Sequence, residues 1–143
     1  MFRKLSESVY ASPQITVEDI ERARELGVTT IVNNRPDGES DDQTPGEAIE
    51  KAANEAGMKY VAIPVTHSGF SDWQVKAMSD ALANAEGPVL AYCRSGTRST
   101  LLWSLAKASA GADVDDLKAR AVAAGYDLTP VQPLLDMLSS GND

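Results

Sequence analysis

The chain has 143 residues, 43% of them apolar and 24% charged, which suits one globular domain over residues 1–143 and leaves no room for two. A net charge of −8 argues against nucleic acid, whose phosphates need a basic stripe, and against an anionic membrane surface. Cys93 is the only cysteine, so no disulfide can form within the chain, and a reducing, cytoplasmic setting is expected.

Met1–Ser8 has two basic residues but no apolar run, so neither a secretory leader nor a membrane span is expected. Val9-Tyr10-Ala11 is a short extended piece before the Ser12-Pro13 break. Thr16 with Asp19 three residues on is a capping pair that opens a helix, and Gly27 ends it. The β-branched run Val28–Asn33 predicts a buried strand, followed by a polar loop from Asn34 to Gln43. Thr44, Pro45 and Glu47 supply cap, first-turn proline and capping-box acid for a second helix, which stops at Gly57. Met58–Ile63 is the next strand, ended by Pro64. Ser71 then caps a helix reaching about Glu86, and Pro88–Tyr92 is a third apolar strand running directly into Cys93. Helices are predicted from about Ser99 to Ala110, from Val114 to Ala124 and from about Thr129 to Leu138.

Strands alternating with helices predict an α/β fold with a parallel central sheet flanked by helices. Ligands in such sheets sit beyond the carboxyl ends of the strands. Cys93, Arg35 and His67 all follow strands, so the topology gathers them at one crevice. Leu117, Val122, Leu134, Leu135 and Leu138 are expected in the core.

The segment Cys93-Arg94-Ser95-Gly96-Thr97-Arg98-Ser99 carries the chemistry. A cysteine reacts as its thiolate, and a helix N-terminus or a neighbouring cation favours that form. Gly96 permits backbone angles that let amides from Ser95 onward converge on an anion. Arg98 offers a planar fork matched to an oxyanion, and Ser99 or Thr100 could give the sulfur a hydroxyl bond. Arg94 suits either an electrostatic role or a solvated surface. The bland alternative, a buried apolar cysteine, does not call for this polar sequence behind it. One histidine and one cysteine cannot make a zinc shell, so neither metal nor cofactor is expected.

This loop resembles the active-site loop of single-domain rhodaneses, the sulfurtransferases that carry a persulfide on cysteine. The wider chain resembles the phosphatase-like domain named after beta-lactamase hydrolase-like proteins. That likeness runs through Gln14-Ile15, Asn34–Glu39, Tyr60–Val65 and Gly87–Ser99. It implies a protein-tyrosine/dual-specificity-phosphatase-like fold, and relatives joined to metallo-hydrolase domains of the persulfide dioxygenase type, a partner of that type being an expectation here. The helical tail after Ala106 favours this fold, since a rhodanese would return with another strand.

Spacing and acid chemistry favour sulfur over phosphate. Related phosphatases place five residues between cysteine and arginine, whereas four separate Cys93 from Arg98. They also need an acid to protonate the leaving alkoxide, and Pro64-Val65-Thr66-His67-Ser68-Gly69 holds no carboxylate. Asp72 follows the cap Ser71 and suits a helical first turn. His67 suits either an acid, since imidazoles exchange protons near neutral pH, or a bland loop position. Asp37 and Glu39 fit a turn, while Arg35 extends a positive rim toward the substrate. The expected activity is therefore sulfur transfer through a Cys93 persulfide, from a small sulfur-containing anion or persulfide donor to a thiol or cyanide. Cys93 and Arg98 would be catalytic, with Arg94, Ser95, Gly96, Thr97, Ser99, Arg35 and His67 binding the anion. The alternatives are a protein-tyrosine-phosphatase-like hydrolase working through a cysteinyl-phosphate, and a non-catalytic persulfide carrier.

Overall fold

In the computed structural model, residues 2–140 are described; the ends of the expected 1–143 unit, Met1 and 141–143, lie outside the described residues. Five strands form one sheet in the order β1 (Arg3–Ser6), β2 (Val9–Ser12), β5 (Val89–Tyr92), β3 (Thr30–Asn33) and β4 (Lys59–Ala62). The last four are parallel, as expected, and β1 pairs antiparallel with β2 as an additional edge strand. That edge has no sequence signature, because only Leu5 of its four residues is buried.

Strands β3 and β5 are buried at every position, which is why both are continuous apolar runs. Their side chains alternate between two cores. Ile31, Leu90 and Tyr92 face α1 (Val17–Glu25) and α2 (Gly46–Glu55), which bring Ile20, Ala23, Ile49 and Ala53. Val32, Val89 and Ala91 face the larger core, with α3 (Asp72–Asn84), α4 (Thr97–Ser109), α5 (Val114–Ala123) and α6 (Gln132–Ser140). Helix α4 packs against both α3 and α6 and is buried almost all round, from Ser99 to Ala106. Its axis, and therefore its N-terminus, is fixed by that packing.

The local capping signals act as predicted at two helices. The Thr16 amide donates to Asp19 Oδ2 at 2.8 Å, and the Ser71 amide to Gln74 Oε1 at 2.8 Å. Helix α2 differs, since its Gly46 amide is capped by Asp37 Oδ1 at 2.9 Å, across the loop, and Thr44 is not the cap. Helix α4 starts at Thr97, two residues before the expected Ser99, and a 3-10 turn at Thr129–Val131 precedes α6. Leu117 and Leu135 are core and Leu134 and Leu138 pack against it, but Val122 is 68% exposed on the outer face of α5. No helix among the described residues is long and apolar enough to cross a membrane.

Candidate active site

The loop after β5 is pinned before it turns into α4. The Cys93 amide donates to Ser12 O at 3.3 Å, continuing the β2–β5 ladder, and the Gln14 amide donates to Arg94 O at 3.2 Å. Gly96 is the N-cap of α4 with φ of +93°, a backbone region that glycine enters without strain. That turn aims the Gly96 amide at Cys93 Sγ, 3.1 Å away. Cys93 has no exposed surface. Its sulfur lies on the floor of the polar loop, beside the positive end of a helix whose first-turn amides have no acceptor within the helix.

Arg98, near the sulfur, is held by other partners. Its Nη1 and Nη2 grip Glu39 end-on, Nη1 to Oε2 at 2.7 Å and Nη2 to Oε1 at 2.9 Å, and Nη1 also donates to Val65 O at 2.7 Å. Three of five donors are thus committed, leaving Nε and one Nη2 hydrogen as a second, side-on fork. The guanidinium charge lies close enough to Glu39 foremost, and also to Cys93, to raise the Arg98 pKa above its ordinary value against the opposing effect of burial. Glu39 in turn is held at about 2, first by Arg98 and then, with burial acting against it, by Arg35.

Arg35 does not form the rim expected of it. Its side chain is only 4% exposed, and its donors are taken by Glu39 Oε1 at 2.9 Å, Gln14 Oε1 at 3.0 Å and Ser40 Oγ at 3.2 Å. It braces Glu39, which braces Arg98. Glu39 is accordingly a site residue and not a mere turn residue. The one hint in sequence was an acid four positions after an arginine in a loop leaving a parallel strand; its second partner, 59 residues away, leaves no local trace.

The other expected residues divide in two. Arg94, Ser95, Thr97, Arg98 and His67 line one crevice of about 560 Å3, whose lining also includes the apolar Phe70, Leu101, Pro130, Val131 and Leu134. Gly96 and Cys93 are buried and are not among the residues that line it. Ser95 Oγ bonds Thr97 Oγ1 at 3.0 Å and accepts from the Thr97 amide at 3.3 Å, tightening the entry into α4. Ser99 and Thr100 turn away from the sulfur. Ser99 Oγ donates to Asn34 Oδ1 at 2.7 Å, and Thr100 Oγ1 to Gly96 O at 2.9 Å, so both hold the scaffold and not the sulfur. Asp72 opens α3 and does not line the crevice. Among the described residues no group of three or more His, Cys, Asp or Glu is placed to hold a metal ion.

Residues 1–110, which include this whole loop, match the family described as "Beta-lactamase hydrolase-like protein, phosphatase-like domain". The chain belongs to that family. A curated beta-lactamase hydrolase-like protein of Xylella fastidiosa is 33% identical over 125 residues, covering 87% of this chain but 29% of that relative's length. A crystal structure described as a "putative phosphatase" from Neisseria meningitidis is 39% identical, covers 96% of this chain and 97% of its own, and superposes with a TM-score of 0.83. The crystal structure of PTPMT1 covers 99% of this chain and 98% of its own with a TM-score of 0.75, and at 11% identity shows the fold alone. The central sheet flanked by helices is the phosphatase-like fold expected.

These likenesses overturn the rhodanese-like, persulfide-based sulfurtransferase reading. Family and relative alike are phosphatase-like, and they favour the hydrolase alternative. The spacing argument failed for a physical reason. Arg98 already belongs to the helix, because α4 begins at Thr97, and Glu39 holds its guanidinium from a distant loop, so residue spacing alone does not place it.

Proposed function

We propose that this domain is a cysteine-dependent phosphomonoester hydrolase. The observation that carries the reading is the Gly96 amide donating to Cys93 Sγ at 3.1 Å with the Arg98 guanidinium close by, next to a crevice that Arg98 itself lines. Phosphoryl transfer asks mainly for donors placed where charge develops on the equatorial oxygens. The Cys93 thiolate attacks phosphorus, the bond to the ester oxygen breaks, and its electron pair leaves on that oxygen. Arg98 and the loop amides take up the charge of the phosphoryl group in flight. The leaving oxygen is protonated by His67, the only histidine or carboxylic acid among the described residues that line the crevice. Water then cleaves the cysteinyl-phosphate, releasing inorganic phosphate and restoring the thiol. A nucleophile of this kind must stay reduced, which suits a cytoplasmic setting.

The test is phosphate release from p-nitrophenyl phosphate by wild type and Cys93→Ser. Release by the wild type, lost in Cys93→Ser, is expected, together with a phosphoryl adduct on Cys93 after acid quench in intact-mass spectra. Equal release by both proteins, or none by either, overturns the proposal.

A further inference from the structure

The Ser95–Gly96 peptide unit is held at both ends. Its N–H donates to Cys93 Sγ at 3.1 Å, and its carbonyl accepts from the Tyr126 hydroxyl at 3.2 Å. In a trans peptide these two groups point in opposite directions, so fixing one fixes the other. Gly96 sits at a positive φ, where peptide planes rotate with little steric resistance, so the orientation of this unit needs a restraint.

We propose that Tyr126 is a positioning residue for the active-site loop: by holding the Ser95 carbonyl outward, its hydroxyl keeps the Gly96 N–H turned toward Cys93 and the anion bound there. The proposal rests on the anion-binding reading above. Tyr126 belongs to a separate part of the chain, immediately after α5, and is itself firmly placed. Its amide donates to Ala121 O at 2.8 Å through the turn at Gly125, where φ is +91°. The Arg3 guanidinium lies over its ring, 5.4 Å from the centroid, and donates to Ala124 O at 2.8 Å. Burial raises the Tyr126 phenol above its ordinary pKa, so the hydroxyl keeps the proton it donates. The approach is also close. A Cβ built on Gly96 would run into the Tyr126 hydroxyl, so this glycine answers to a neighbour as well as to its own φ.

Tyr126→Phe tests this, since it keeps the ring under Arg3 and removes only the donor. Two readouts are taken at one pH: the inhibition constant of inorganic phosphate against p-nitrophenyl phosphate, and the phosphate concentration that protects Cys93 from iodoacetamide. Both are expected to weaken about fivefold, the worth of one ordinary hydrogen bond, with the thermal midpoint unchanged. Unchanged or tighter phosphate binding in Tyr126→Phe overturns the proposal. The protection assay needs no turnover, so a wild type that binds phosphate without hydrolysing the ester would defeat the phosphatase reading and leave this one standing.

Discussion

Glu39 holds Arg98 by one fork and thereby presents the other. The end-on pair, at 2.7 and 2.9 Å, sets the plane of the guanidinium and leaves its side-on edge free for an anion, with Cys93 near enough to stabilise the charge. Replacing Glu39 with Gln keeps the shape and removes the charge. We expect Glu39→Gln to lower kcat/KM for aryl phosphates about tenfold, the loss attending one charge-assisted hydrogen bond. Steady-state kinetics check this.

The same residue gives a pH signature. The Glu39 carboxyl is held at about 2 in the fold, chiefly by Arg98, against an ordinary 4.5. A lowered folded pKa contributes stability that is complete above the unfolded value and is lost as pH falls through the folded one. The stability difference between wild type and Glu39→Gln should therefore be constant near neutrality and shrink from about pH 4.5 down toward about pH 2. Urea unfolding of both proteins across that window measures it.

Arg98→Lys preserves charge but not the planar fork. Lysine can neither chelate Glu39 end-on nor offer two donors side by side to an oxyanion. A fall of about 10²-fold in kcat is expected, comparable to removing a donor from an oxyanion hole. Kinetics with a saturating aryl phosphate separate this from a change in KM.

His67 should matter in proportion to the leaving group's need for a proton. His67→Asn is expected to slow phenyl phosphate about 10²-fold and to leave p-nitrophenyl phosphate, whose leaving group departs unaided, within about threefold. A linear free-energy plot across substituted aryl phosphates displays the change in slope.

Asn34 ties the carboxyl edge of the sheet to α4. Its Oδ1 accepts from Ser99 Oγ at 2.7 Å, and its Nδ2 donates to Ile63 O at 2.9 Å, with the side chain wholly buried. Asn34→Leu leaves both partners buried and unpaired, and we expect a loss of about 3 kcal/mol; Ser99→Ala, which orphans one acceptor, should cost about 1–2 kcal/mol. Both are read from urea midpoints at constant slope.

What sequence made legible here was local chemistry. Thr16–Asp19 announces its helix because the bonded groups lie three residues apart, and Ser71 announces α3 as a cap residue, with Gln74 as the partner seen in the fold. The β-branched and apolar runs of β3 and β5 announce buried parallel strands. The turn from Cys93 through Gly96 into α4 was visible for the same reason. Contacts between distant segments were not. Glu39 looked like part of a turn because its bond to Arg98 joins two loops, and Tyr126 carried no signal at all. Ser99 looked like a ligand of the sulfur because spacing cannot say which way a helical hydroxyl points. Judging sulfur against phosphate by counting residues between Cys93 and Arg98 failed likewise, since the count ignores where the helix begins.

Pro130, Val131 and Leu134, which give the crevice part of its apolar lining, lie beyond residue 110, where the family match ends. Nucleophile and guanidinium thus lie in the shared portion of the chain, while much of the surface a leaving group would touch lies in the tail. Exchanging the turn at Thr129–Val131 together with α6 between relatives should accordingly retune which esters are accepted while sparing the reaction itself, making the tail the natural place to engineer selectivity.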